Sequence, residues 1–172
     1  MRFAYYNRLS PRQQAIYRNS DSIESVRIPD PAFLFPIVGG IAQALQAENR
    51  QATEAASQAL LDALTVALAV PGVRVSVLAR RPELRDGELH GLYEPAAHGE
   101  AVRIKVWMRT VHHKRVVAFR TFLRTLLHEF CHHLDYERYQ LADSFHTEGF
   151  YKRESSLLKQ LFPSGSANGV NR

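Results

Sequence analysis

The segment F-R-T-F-L-R-T-L-L-H-E-F-C-H-H-L-D-Y, running from Phe119 to Tyr136, decides how the rest of the chain is read. Phe119, Phe122, Leu123, Leu126, Leu127, Phe130 and Leu134 recur at three- and four-residue intervals, which predicts a helix with one face in the core. Inside it stands His128-Glu129-Phe130-Cys131-His132, an H-E-x-x-H pattern. Residues four apart on an α-helix are offset by ~40° and about 6 Å along the axis, so two imidazoles at that spacing can hold one metal ion from a single rigid element. Glu129 flanks the same face, where a carboxylate serves as general base toward metal-bound water. Cys131 is the single cysteine, so no intramolecular disulfide can form. Its direction on the helix is away from both imidazoles, and its expected part is packing.

Downstream of the helix the question is what completes the site. A hydrolytic zinc takes three protein ligands and keeps one position open. Asp135 lies two turns from His128 on nearly the same face. A helix already holding two ligands cannot easily bend a third short side chain back, so Asp135 is expected to orient a ligand instead. Asp143 stands in the loop beyond and is a further candidate. A second helix then runs to Phe162-Pro163; at ~100° per residue His146, Phe150, Glu154, Leu157 and Leu161 share one face, with Glu148 nearly opposite. A carboxylate on an apolar face needs a metal, a cation or a hydrogen-bond donor, because burying it unpaired is costly. Periodicity therefore leaves His146 and Glu154 as rivals for the third ligand.

Upstream, Val73 to Leu78 alternates in the manner of a strand, Leu89 to Tyr93 forms a short one, and Val102 to Arg109 alternates again. Val102, Ile104, Val106 and Met108 should face the core, with Arg103, Lys105, Trp107 and Arg109 opposite. A basic row with an aromatic could contact nucleic acid, but one aromatic is not a stacking platform. A solvated face with Trp107 covered by a neighbour is the preferred reading. His112-His113-Lys114-Arg115 reads as a surface turn with no metal role. The expected product is a small antiparallel sheet leading into the metal helix.

Further upstream, Ile41, Leu45, Ala52, Ala56, Leu60, Leu64 and Leu68 keep a helical rhythm within Gly39 to Val70, as one helix or two parted near Asn49. Pro71-Gly72 ends it. Asp30-Pro31 and Phe35-Pro36 break the chain, and Ser10-Pro11 starts a helix reaching Asn19. With 172 residues and 45% hydrophobic content the chain fits one domain with a core needing no disulfides. Met1 to Arg8 lacks the apolar run of a signal peptide, and no stretch is long and apolar enough to span a bilayer. The expectation is a cytoplasmic protein that engages no membrane. A net charge of +5 points weakly toward anionic partners, nucleic acid first. Residues 164–172 read as a disordered tail.

The H-E-F-C-H motif followed by His146-x-x-x-Phe150 resembles the SprT-like metallopeptidases, which include the Spartan type of DNA-dependent protease. Gly91-Leu92-Tyr93 and then Val102-Arg103-Ile104-Lys105 is similar to that family's G-x-Y and I-x-L strand pair, so the resemblance covers roughly 70–162. It implies a small zincin-like α+β fold with 71–163 as the catalytic core; residues 1–70, a helical scaffold by their own pattern, find no counterpart in the family, and the whole reads as one domain over 1–163. The resemblance implies Zn2+ held by His128, His132 and His146, with Glu129 as base, in a hydrolase that cleaves peptide bonds of protein or peptide substrates. Two positions depart from the family: Thr147 stands where a glycine is usual, and Glu154 where an apolar residue is usual. A gluzincin-like set with Glu154 as ligand therefore stays alongside. The strand Val102 to Met108 is expected to align an extended substrate, and Tyr151 to stabilise the oxyanion. The competing reading is a nucleic-acid-associated binding protein with a structural zinc, Asp135 or Glu154 being its fourth ligand; between the two lies a protease stimulated by DNA.

Overall fold

The computed structural model describes residues 3–80, 82–84, 87–96, 101–110 and 115–162. The expected turn at His112-His113-Lys114 and the expected tail at 164–172 lie outside them.

Ser10 opens the first α-helix, α1 (Pro11–Ser22), through a reciprocal cap. Its hydroxyl accepts from the Gln13 N–H while the Gln13 side chain accepts from the Ser10 N–H at 3.1 Å. The helix runs three residues past Asn19. Pro31 and Pro36 do not break the chain as expected. Each stands in the first turn of a helix, Pro31 in a 3-10 turn (Pro31–Leu34) and Pro36 in α2 (Phe35–Gln46), where a missing N–H costs nothing. The long apolar rhythm resolves into two helices. Glu48 adopts φ 52°, and the Asn49 side chain accepts from the Ala52 N–H at 3.0 Å to begin α3 (Arg50–Ala67).

After Pro71 come β1 (Arg74–Arg80), the two-residue strands β2 (Glu83–Leu84) and β3 (Gly87–Glu88), β4 (Gly91–Glu94) and β5 (Arg103–Arg109). The expectation of an antiparallel sheet is corrected here. The three-stranded sheet is mixed, in the order β1-β5-β4. β4 and β5 pair antiparallel, with Gly91 opposite Val106 and Tyr93 opposite Ile104, whereas β5 lies parallel to β1, with Arg74 opposite Arg103. The chain reverses between β1 and β4 and again before β5, so β5 slots between the two in the direction of β1. The outer edge of β1 is closed by α3: Gln58 Oε1 accepts from the Val75 N–H at 2.9 Å and Glu54 Oε2 from the Val77 N–H at 2.8 Å.

Val75, Val77, Ile104, Val106 and Met108 are buried as the alternation requires. Trp107 is buried as well, at 6% exposure, so it offers no stacking face among the basic residues of β5. On that face Lys105 pairs with Glu94 and Arg109 with Glu48. Two last helices, α4 (Phe119–Glu137) and α5 (Glu148–Leu161), complete an α+β architecture. Phe122, Leu123, Leu126, Leu127, Phe130 and Leu134 of α4 are fully buried or nearly so, which pins the opposite face of α4 toward a cleft beside β4. No described helix is long and apolar enough to cross a membrane.

Candidate metal centre

His128 and His132 project from α4 one turn apart, and His146 arrives from the loop leading into α5. The Nε2 atoms of His128 and His146 lie 3.0 Å apart and those of His146 and His132 3.1 Å apart. Ligand nitrogens ~2.0–2.1 Å from a tetrahedral ion are separated by roughly 3.3 Å, so the spacing matches a metal-sized centre. Phe150 lies beneath all three, its ring centroid 4.8 to 5.2 Å from each imidazole. That fully buried ring keeps the floor of the site dry. Thr147, in place of the glycine the resemblance anticipates, caps α5: its hydroxyl accepts from the Phe150 N–H at 2.9 Å, which sets where His146 leaves the loop.

Proton positions are fixed by the partners of the far ring nitrogens. His128 Nδ1 lies 2.9 Å from Glu154 Oε2; a carboxylate only accepts, so Nδ1 carries a proton, which in the neutral ring leaves the lone pair on Nε2. His132 Nδ1 lies 2.7 Å from Ser144 Oγ, and that hydroxyl donates to Asp135 Oδ2 at 2.7 Å. Ser144 therefore accepts from His132 Nδ1–H, and again Nε2 is the free nitrogen. Burial, then the neighbouring His146 and His128, lowers His132 to about 3, and burial lowers His146 as well. Neutral imidazoles with converging lone pairs are the form in which histidine ligates a metal, so His128, His132 and His146 fit one.

The rival third ligand is turned elsewhere. Glu154 is 3% exposed and divides its two oxygens between His128 Nδ1 and the Arg124 guanidinium, 3.2 Å away. It thereby finds the donors its buried position demanded, on the far side of the His128 ring from the centre. Asp143 accepts from the Ser144 N–H, and Glu148 pairs with Lys152; neither belongs to the trio. Asp135, completely buried, faces Ser144 and Arg153. Cys131 is buried, and burial pushes its thiol far up, which suits packing.

Glu129 is 6% exposed and lies against β4. Burial raises its carboxyl to about 7, against the opposing pull of His128 and a backbone hydrogen bond from Tyr93. A Cβ on Gly91 would meet Glu129 Cγ at 2.7 Å and overlap its Oε1, so only glycine lets the strand pass this close. The open cleft between β4 and α4, about 630 Å³ in volume, is lined by Gly91, Tyr93, Glu129 and the three imidazoles among others. Tyr151 stacks on His146 with ring centroids 5.9 Å apart and is 42% exposed.

Sequence reasoning did not find Ser144, Arg153, Arg124 or the part Phe150 plays as a floor. Ser144 and Arg153 show no pattern in the sequence; only the fold brings them to Asp135. Phe150 does share a helical face with His146 in projection and stands in the His146-x-x-x-Phe150 motif, the two signals that could have pointed to it. No protein-family model matches the sequence, and no curated protein or solved structure matches it either.

Proposed function

We propose that the chain is a zinc metallopeptidase of the SprT-like kind, with His128, His132 and His146 as the ligands and Glu129 as the general base. One observation carries the reading: the ligand nitrogens of three imidazoles converge within 4.8 Å of one another, and the Glu129 carboxyl lines the same open cleft. A set of three nitrogen ligands with room for a fourth partner suits catalytic zinc. When bound, zinc supplies Lewis acidity toward a carbonyl and makes water acidic near neutral pH.

The chain's own groups do the rest. A base with a pKa near the working pH both accepts and returns a proton efficiently, and burial tunes Glu129 to that range. Glu129 takes the proton of the attacking water and delivers it to the leaving amine. Substrate alignment falls to β4 rather than to β5, which lies between two neighbours and has no edge to offer. β4 is the strand against Glu129, its outer edge toward the cleft, and an extended peptide laid along it would bring its carbonyl to the base. Tyr151, stacked on His146, is the candidate oxyanion donor.

A purely structural zinc would require Asp135 or Glu154 as fourth ligand, and both are committed to other partners. The basic residues Lys105 and Arg109 are likewise paired with acids, which leaves them less to offer a phosphate backbone.

The test is Glu129→Gln in the full chain, assayed for zinc content and for cleavage of an unfolded protein with and without DNA. Zinc stays stoichiometric while cleavage falls by about 10²–10⁴-fold, the usual contribution of a general base. Cleavage by the variant at the wild-type rate overturns the assignment. Dependence of the wild type on DNA separates the stimulated from the free-standing protease.

A further inference from the structure

Arg153 is the largest fully buried side chain among the described residues, and the peptidase reading gives it nothing to do. Its NH2 nitrogen donates to Asp135 Oδ1 at 2.7 Å and to the Ser20 hydroxyl at 3.0 Å; NH1 donates to the carbonyls of Ser20 and Ile23, each at 2.6 Å. Its Nε is buried with no acceptor among the described residues. Both members of the Asp135–Arg153 pair have 0% side-chain exposure. Burying such a pair seldom stabilises a fold over an apolar pair of the same shape, because desolvation offsets the attraction. What the arrangement does supply is direction. Arg153 N–H points to Asp135, Ser144 O–H points to Asp135, and His132 Nδ1–H points to Ser144, a chain in which each donor has one place to go. The far end of that chain is the Nε2 lone pair of His132. The near end is the last turn of α1, an element far away in sequence.

We propose that Arg153 is a positioning residue of the metal site: anchored on the end of α1, it holds Asp135, and through Ser144 it fixes the tautomer and ring direction of His132. The proposal rests on the metal reading above and adds a residue to it. It implies that metal affinity depends on a side chain that comes nowhere near the metal, transmitted through one hydroxyl. Groups that orient a metal-bound histidine typically contribute 10–100-fold in affinity.

The experiment measures zinc affinity of the full chain by competition with a chromogenic chelator, together with the circular dichroism of the metal-free variants. Ser144→Ala is expected to weaken zinc roughly 10–100-fold with an unchanged fold, and Ser144→Thr, which keeps the hydroxyl, to restore most of the affinity. Arg153→Met is expected to weaken zinc to a similar extent, and the double variant Ser144→Ala/Arg153→Met to be no weaker than the worse single variant, since both cut one chain. Losses that multiply, or wild-type affinity in folded Arg153→Met, overturn the relay. If Arg153→Met does not fold, Arg153→Lys replaces it in the same cycle: it keeps the buried charge but cannot span Asp135 and both carbonyls, and the same two outcomes decide. A wild type that binds no zinc overturns the metal reading and the relay with it, whereas zinc-binding variants all at wild-type affinity overturn the relay alone.

Discussion

Among single residues, the site is governed by how close β4 comes to α4. Gly91 permits that approach, and a hydrogen bond from the Tyr93 backbone holds the Glu129 carboxyl where it lies. Gly91→Ala should therefore displace Glu129 while leaving the imidazoles in place. Hydrolysis falls by about 10²-fold, the cost of an ~1 Å misplacement of a reacting group, with zinc content unchanged. Loss of zinc in that variant would mean the strand had moved more than the carboxylate. Glu154 acts on the opposite side. Glu154→Ala removes the partner of His128 Nδ1, and zinc affinity drops about 10–100-fold in chelator competition. If Glu154 were itself the third ligand, His146→Ala would retain tight zinc and Glu154→Ala would not. The two imidazoles and the carboxylate of α4 are legible from spacing alone, and so is the need of Glu154 for a partner. Which donors meet it is not, since Arg124 and Glu154 lie on different helices.

Among the helices and strands, periodicity carries most of the assignments, and local backbone chemistry settles their ends. Asn49 is the right place to divide the long apolar rhythm, because its side chain caps the helix beyond it. Pro31 and Pro36 mislead: the same residue that interrupts a helix interior is welcome in a first turn. Strand direction is not written in alternation at all, which is why the sheet proves mixed. The polar closure of β1 by α3 is equally invisible in the sequence, and it carries a prediction. Gln58→Ala leaves the Val75 N–H without its acceptor, and unfolding by urea should register a loss of about 1–3 kcal/mol. A loss below about 0.5 kcal/mol, the range of an ordinary surface substitution, would mean that water satisfies that edge.

Across the molecule, the proposed ligands come from two separate parts of the chain, α4 and the loop before α5. A metal joining them should stabilise the folded state. With free zinc at 100 times Kd the gain is about 2.7 kcal/mol, read as a rise in melting temperature that a chelator reverses. His146→Ala should abolish most of that rise, since it removes the ligand that comes from outside α4. The N-terminal region also takes part. The Tyr5 hydroxyl donates to the His146 carbonyl at 2.8 Å and Asp21 accepts from the Gly149 N–H at 3.0 Å. The N-terminal segment thus holds the loop that carries the third imidazole.

The helix Phe119–Glu137, its two imidazoles and its carboxylate are set by local sequence, because a period of 3.6 residues places groups on a face without reference to anything else. The same projection narrows the third ligand to His146 and Glu154. Choosing between their positions took the packed fold, which brings His146 Nε2 to the centre and turns Glu154 to the back of His128. The fit of Gly91 over Glu129 and the line from α1 through Arg153 to His132 likewise exist only in three dimensions. Those contacts join residues from 9 to 133 positions apart, and no local rhythm encodes which distant side chains a packed core will bring into reach.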